Sequence, residues 1–379
     1  MSASEIRRAF VQRFNSEPEV VAIAPGRINL IGEHTDYNDG FVFPAAIDRV
    51  MLVAASLSSD QSRLYSLQSQ EGEPFEAGTV EPNELVGWAK YPAGVAWALR
   101  QNGYPSVNLR AVVSSNIPMG SGVSSSAAME LAFLVLHRHF AGFDADGVAL
   151  AQLGKFAENR FVGVNSGIMD QLASAMGKKD LAMFIDTRSL GLEYAPVPSE
   201  LKIVLCDTKK ERALTSSAYN ERRAQCEEAA SKLGVKALRD ATLDMLEAAR
   251  LELGDVVYRR ARHVITEDSR AQAFKDALKT SDFAEIGKIM RAGHESLRDD
   301  FEVSCRELDI MAAAAWDSPG CVGARMTGGG FGGACVALVE QDKVDAFAST
   351  LLERYDRESG LHGEAMACSA ADGARILTT

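Results

Sequence analysis

Hydrophobic positions change period several times along this chain, and each change marks an element. Residues 5–15 put their apolar side chains on one side of a short amphipathic helix. Residues 19–24 (EVVAIA) read as a strand, and 41–57 (FVFPAAIDRVMLVAASL) as a second strand-like run rich in valine and alanine. Residues 60–82 are polar and predict an exposed hairpin, and a helix carrying Tyr91, Val95 and Leu99 follows. Residues 107–113 (VNLRAVV) alternate as a half-buried strand does. Beyond Gly122 the chain runs to about residue 140 without glycine or proline and is apolar almost all round. That pattern predicts a buried helix. Another helix is predicted over 146–161.

The pattern breaks around 186–200 (DTRSLGLEYAPVPSE), where Pro196 and Pro198 lie close together. The second half is helix-rich, with helices predicted over about 211–233, 239–252, 254–265 and 269–292. It closes with a glycine-rich turn at 327–333 and an apolar strand, ACVALV, at 334–339. At 379 residues the chain is too long for one compact core, so two domains are expected, 1–195 and 196–379. No internal repeat or low-complexity tract is visible.

Composition narrows the class. Hydrophobic content of 46% and charged content of 24% are ordinary for a globular enzyme. The net charge of −12 repels a phosphate backbone, so nucleic acid is not an expected partner. The six cysteines form no C-x-x-C pair and no zinc-spaced cluster with histidine. The N-terminal MSASEIRRAFVQRFN has no apolar signal core, and no run approaches 18 apolar residues, so no membrane partner is expected. Together these features predict a cytoplasmic protein with free thiols.

Four segments carry candidate chemistry. Gly26 to Gly40 reads GRINLIGEHTDYNDG, with one arginine, one histidine, three carboxylates and three glycines. Such groups bind hydroxyls in fixed directions and suit a small polyol, although a solvated charged loop has the same composition. Pro118 to Ala127 (PMGSGVSSSA) is a glycine turn whose serines open a helix. Its glycines let backbone N–H groups approach an anion, and the helix N-terminus favours negative charge. A plain serine cap is the other reading. The Walker pattern is absent and the segment holds no lysine. Glu158, in the next predicted helix, is either a metal carboxylate or a surface residue. Asp170, in VNSGIMDQ at 164–171, is either a helix-start acid or a base in a partly apolar pocket. Met326 to Gly333 (MTGGGFGG) is either a loop that closes over a ligand or a plain turn. Neither the dinucleotide fingerprint context nor the H-R-D and D-F-G partners of protein kinases accompany it.

In this order and spacing, the four segments resemble the GHMP family of small-molecule kinases, and the opening motif resembles its galactokinase branch. SSAYNERRAQC at 216–226 is a fifth match, and the matches span about residues 20–340. The resemblance implies a two-lobed α+β fold. Its N-terminal lobe would be like ribosomal S5 domain 2 and its C-terminal lobe ferredoxin-like, with the site in the cleft between. It implies ATP-dependent phosphorylation of the anomeric hydroxyl of D-galactose. The rivals are a 1-kinase for a relative such as N-acetylgalactosamine or L-arabinose, and a non-catalytic galactose sensor.

The resemblance also implies roles. Asp170 would be the general base, with Arg27 beside it stabilising the phosphoryl group in flight. Glu33, His34, Thr35, Asp36, Gly167 and Tyr219 would bind the sugar. Gly120, Ser121, Gly122, Val123, Ser124, Ser125 and Ser126 would wrap the ATP phosphates, and Ser126 and Glu158 would hold Mg²⁺. A monomer is expected. The sequence departs from the family at Ser166, where the family commonly has cysteine. Phosphoryl transfer is mostly positioning and charge neutralisation, which these residue types can supply.

Overall fold

The computed structural model describes residues 2–72, 74–118, 120–211 and 215–377. Met119 of the serine–glycine segment lies outside the described residues. So do 212–214, at the start of the helix expected over 211–233.

The first lobe is built on a mostly antiparallel six-stranded sheet. Its centre is β1 (Val20–Asn29) against β3 (Pro44–Leu57), which pairs in turn with β6 (Leu109–Ser115). Short strands β4 (Arg63–Ser66), parallel to β6, and β5 (Gln70–Glu71) extend that edge. Phe43 interrupts the run expected as one strand over 41–57, leaving a separate β2 (Phe41–Val42). That strand joins β7 (Leu181–Asp186) and β8 (Gly191–Pro196) in a three-stranded sheet. One face of the large sheet carries helix α1 (Ala3–Phe14), whose Ile6 and Phe10 pack on Val21, Leu52 and Val112. The other face carries α2 (Lys90–Gln101), α3 (Ser125–Ala141), α4 (Gly147–Ala157) and α5 (Met169–Met176). Helix α3 is buried all round from Ala127 to His137, as an apolar helix in a core must be.

The 60–82 stretch does contain a short hairpin, β4 with β5, but the stretch is not the exposed one expected. Leu64, Phe75, Ala77 and Val80 are buried and join the main core, with α2 over them. The polar residues between them hide that alternation in the sequence.

The second lobe carries a four-stranded antiparallel sheet in the order β10 (Cys321–Met326), β11 (Ala334–Glu340), β9 (Leu201–Asp207), β12 (Glu364–Cys368). Both faces are covered, which explains its near-continuous apolar strands. Ile203 and Leu205 face the main core. Val204 and Cys206 face a second core beneath α6 (Thr215–Lys232), α8 (Arg250–Thr280), α9 (Phe283–Asp299), α10 (Arg306–Trp316) and α11 (Val344–Ser359). A short helix, α7 (Leu243–Ala248), precedes α8. Two of the helices expected in this half, 254–265 and 269–292, divide elsewhere. Helix α8 runs through 266–268, because Glu267 and Asp268 are buried with partners inside the protein. The final strand β13 (Arg375–Leu377) pairs with β1, so the end of the chain returns to the first lobe's sheet.

His137 ties α3 to the approach to β6, since its Nδ1 accepts a hydrogen bond from the Val107 N–H at 3.2 Å. That bond requires a neutral ring, and burial lowers its pKa from 6.5 to about 4. The unfolded chain therefore binds the proton more readily across that window, and stability falls as pH falls through it. Replacing His137 with Gln should flatten the pH dependence of Tm between pH 6.5 and 4. An unchanged acid limb would contradict this.

Candidate active site

The site forms where β1 meets the serine–glycine turn. The β1–β3 register shifts between Pro25 and Arg27. Gly26 is forced at that point, since a Cβ there would sit 2.7 Å from the Val123 carbonyl oxygen. The close approach lets the Arg27 N–H donate to that carbonyl at 3.1 Å. The Arg27 side chain, only 5% exposed, then turns into the cleft. Its Nε donates to Asp170 Oδ1 at 2.8 Å, its Nη2 stands 2.6 Å from the same oxygen, and its Nη1 donates to the Gly122 carbonyl at 2.5 Å. The Ser124 hydroxyl donates to Asp170 Oδ2. Ser124 makes this contact from a left-handed backbone (φ 58°), a conformation that costs a side-chain-bearing residue of order 1–3 kcal/mol. Asp170 opens α5, and both its oxygens are thus oriented while it still lines the cavity.

A cavity of about 360 Å³ spreads from this centre. One end is polar and aromatic. Glu33, His34, Asp36, Gly167 and Tyr219 line it, with Gly328 to Phe331 of the late glycine segment opposite. The His34 and Tyr219 rings lie 5.3 Å apart, and His34 Nδ1 is 2.8 Å from the Tyr37 hydroxyl. Burial keeps His34 neutral, lowering its pKa to about 3. Burial, then the neighbouring Asp170, raise the Asp36 carboxyl. Asp36 Oδ2 accepts from the Met169 N–H at 3.4 Å. Thr35 does not line the cavity. It is fully buried, and its hydroxyl bonds to the Gly32 and Phe41 carbonyls, which shapes the loop.

The other end is the glycine turn. Gly120 and Gly122 both have positive φ, and a Cβ on Gly120 would meet nothing within 4 Å, so the backbone there faces open space. Gly120, Gly122, Val123, Ser124, Ser125 and Ser126 line the cavity. Ser121 is turned away, and its buried hydroxyl donates to Asp207 Oδ2 at the end of β9, 2.5 Å away. Glu158 lines the same cavity from a π-helical turn (Glu158–Val162) that extends α4, an irregularity often found at functional sites. Its Oε2 accepts from the Ser166 hydroxyl at 2.6 Å and from Gln171 Nε2 at 2.9 Å. Burial raises its carboxyl above the ordinary range.

Sequence reading passed over several residues here. Gln171 also donates to Glu130 Oε2 at 3.0 Å, so one amide bridges two buried carboxyls. Glu130 is the single charge on the apolar stretch of α3, and that isolation was the available signal. Trp88 and Tyr91 line a neighbouring cavity of about 360 Å³ that also touches Ser125, Ser126, Met51 and Ile117. The buried indole Nε1 of Trp88 has no partner among the described residues. Trp88 sits on a single 3₁₀ turn after a polar stretch, so no periodicity marked it.

A Cys/His/Asp/Glu group of three or more able to hold a metal is absent among the described residues. No helix among them is long and apolar enough to cross a membrane.

Comparison with known proteins shows the family to which the chain belongs. The galactokinase galactose-binding signature matches residues 8–57, the GHMP kinase N-terminal domain 90–178 and the GHMP kinase C-terminal region 274–357. The chain is 41% identical over 383 residues to a galactokinase of Roseiflexus sp. (strain RS-1), covering 98% of this chain and 97% of that one. It is 42% identical over 376 residues to a galactokinase of Chloroflexus aurantiacus, covering 98% and 96%. Among solved structures, Lactococcus lactis galactokinase complexed with galactose superposes with a TM-score of 0.93, at 34% identity and 99% coverage of both chains. A mevalonate kinase shares the fold at a TM-score of 0.67 and 18% identity, covering 93% of this chain and 100% of that one.

One position tests the geometry directly. A Cβ on Gly167 would lie 1.8 Å from Asp36 Oδ2. Gly167→Ala should therefore drive the Asp36 carboxylate from its place while Arg27 and Asp170 stay paired. A crystal structure of the variant with Asp36 unmoved would contradict this.

Proposed function

We propose that this chain, which belongs to the galactokinase family of the GHMP kinases, transfers the γ-phosphoryl group of ATP to the anomeric hydroxyl of D-galactose. The observation that carries the reading is the position of Asp170. It lies between an array of hydroxyl-binding groups (Glu33, His34, Asp36, Tyr219) and a glycine turn whose backbone is open to an anion.

The steps follow from the residues. A galactose hydroxyl at Asp170 can use the lone pairs left free by Arg27 and Ser124. Asp170 orients the anomeric oxygen and accepts its proton late, since a carboxylate is a weak base and the transition state is loose. Arg27 sits against both Asp170 and the turn, so it can neutralise charge spreading over the phosphoryl oxygens. Gly120, Gly122 and the N-terminus of α3 would hold the β- and γ-phosphates. The cavity at Trp88 and Tyr91 opens beside Ser125 and Ser126 and fits the nucleotide's base.

The donor set at Ser126 and Glu158 is a hydroxyl and a carboxylate, the hard oxygen ligands that Mg²⁺ takes alongside substrate phosphates. Bound there, Mg²⁺ would neutralise phosphate charge and fix the leaving group.

A coupled ADP-release assay over D-galactose, N-acetylgalactosamine and L-arabinose tests the substrate. D-galactose should give the highest kcat/KM. A preference for another sugar would reassign it, and galactose binding without ADP release would mark a sensor. Asp170→Asn should keep galactose affinity within about tenfold while turnover falls about a hundredfold or more, the usual share of a positioned base. Near-normal turnover would remove Asp170 from the mechanism. Glu158→Gln should raise the Mg²⁺ concentration for half-maximal turnover by about 10–100-fold, with the galactose Kd unchanged.

A further inference from the structure

Behind the sugar-binding segment lies a cluster of buried charge that the reaction as described does not use. Arg325, on β10, and Glu267, on α8, are both 0% exposed. Arg325 Nη1 donates to Glu267 Oε1 at 2.7 Å, and its Nη2 stands 2.6 Å from Glu33 Oε2. Glu267 Oε1 also accepts the Gly32 N–H at 2.9 Å. The contacts close a ring: Gly32 backbone, Glu267, Arg325, Glu33 side chain. The other Glu33 oxygen accepts the Gly328 N–H at 3.2 Å, and the Glu33 carbonyl lies 3.1 Å from His263 Nε2. Both backbone and side chain of the Gly32–Glu33 pair are therefore held by α8, β10 and the late glycine segment, all in the second lobe. The packing makes room for the guanidinium, since a Cβ on Gly293 of α9 would lie 2.8 Å from Arg325 Nη1.

We propose that Arg325 and Glu267 are positioning residues that fix the Glu33 carboxylate in the wall at the sugar end of the cavity, so that galactose affinity depends on a clasp supplied by the second lobe. The proposal rests on the galactose reading above. A carboxylate offers several acceptor directions, and one that could pivot would lose the fixed geometry a hydroxyl array needs. Arg325 spans two carboxylates with its planar fork, which a lysine point charge cannot reproduce. The charge balance also depends on it. Burial raises the Glu33 carboxyl to about 7 even with Arg325 opposing the shift. Glu267 is buried as well, but Arg325 and Arg270 bring its carboxyl well below the ordinary range. Removing the arginine leaves two buried carboxyls facing each other with less to compensate them.

The nucleotide end shares none of these contacts, and that separates positioning from general support of the fold. The test measures Kd for D-galactose and for a non-hydrolysable ATP analogue by calorimetry, with kcat and KM for both substrates. Variants are Arg325→Lys, Arg325→Met and Glu267→Gln, each checked for its folded signal. Arg325→Met should weaken galactose by about 30-fold or more and the ATP analogue by less than about threefold. The loss should appear in KM for galactose before kcat, and Arg325→Lys should recover only part of it. If Arg325→Met does not fold, Glu267→Gln keeps the volume and should still weaken galactose by about fivefold or more. Galactose affinity within twofold of the parent in both Arg325→Lys and Glu267→Gln overturns the proposal, as does a parallel loss of sugar and nucleotide affinity. A parent protein that binds no galactose overturns the substrate reading and, with it, this proposal.

Discussion

The buried guanidinium of Arg27 holds the centre of the site together. Arg27 has lost nearly all contact with water, and an uncompensated guanidinium in that position would be prohibitively costly. It is compensated by the Asp170 carboxylate and the Gly122 carbonyl, which lie far apart in the chain, while the Arg27 backbone N–H is fixed on the neighbouring Val123 carbonyl. The irregularity in β1 and the forced glycine at 26 exist at the point where that approach occurs. Strand, turn and the helix that carries Asp170 are thereby placed relative to one another before any ligand arrives. Phosphoryl transfer rewards such preorganisation, because little covalent chemistry is left for the protein to do.

The second lobe closes the site from the other side by similar means. Asp207 at the end of β9 takes the Ser121 hydroxyl and so tethers the glycine turn. Arg325 and Glu267 take Glu33 and Gly32 and so tether the loop that lines the other end. Each end of the cavity is anchored across the cleft by a buried polar contact, within an apolar core that runs beneath both lobes. Side chains that look like ligand groups in sequence divide into two kinds. Asp36, His34 and Ser126 line the cavity, whereas Thr35 and Ser121 spend their hydroxyls on holding its walls.

The parts of the site that were legible in the sequence are those where unusual residue types crowd together. Gly26-Arg27, the Gly120 to Ser126 turn and the lone charge of Asp170 stood out because core strands and helices do not have such compositions. The less legible parts are pairings at long separation. Glu267 sits in a polar triplet that looks like a gap between helices, and its partner Arg325 lies 58 residues later within the short strand β10. Neither carries a local signal, because their meaning lies in the burial they share. The same holds for the 60–82 stretch, whose apolar residues are too sparse to announce a core. It holds too for β13, whose three residues are too few to show a period but still complete the first sheet.

The whole account comes down to which oxygen of the sugar faces Asp170 when the phosphoryl donor is in place. The most direct measurement is a crystal structure of the protein with D-galactose, Mg²⁺ and a non-hydrolysable ATP analogue. The anomeric oxygen should lie within about 2.6–3.2 Å of the Asp170 carboxylate, hydrogen-bond reach for a base. That oxygen should lie in line with the γ-phosphorus, with the Arg27 guanidinium still on Asp170. A different hydroxyl at Asp170, or an anomeric oxygen turned away from the phosphates, would contradict it.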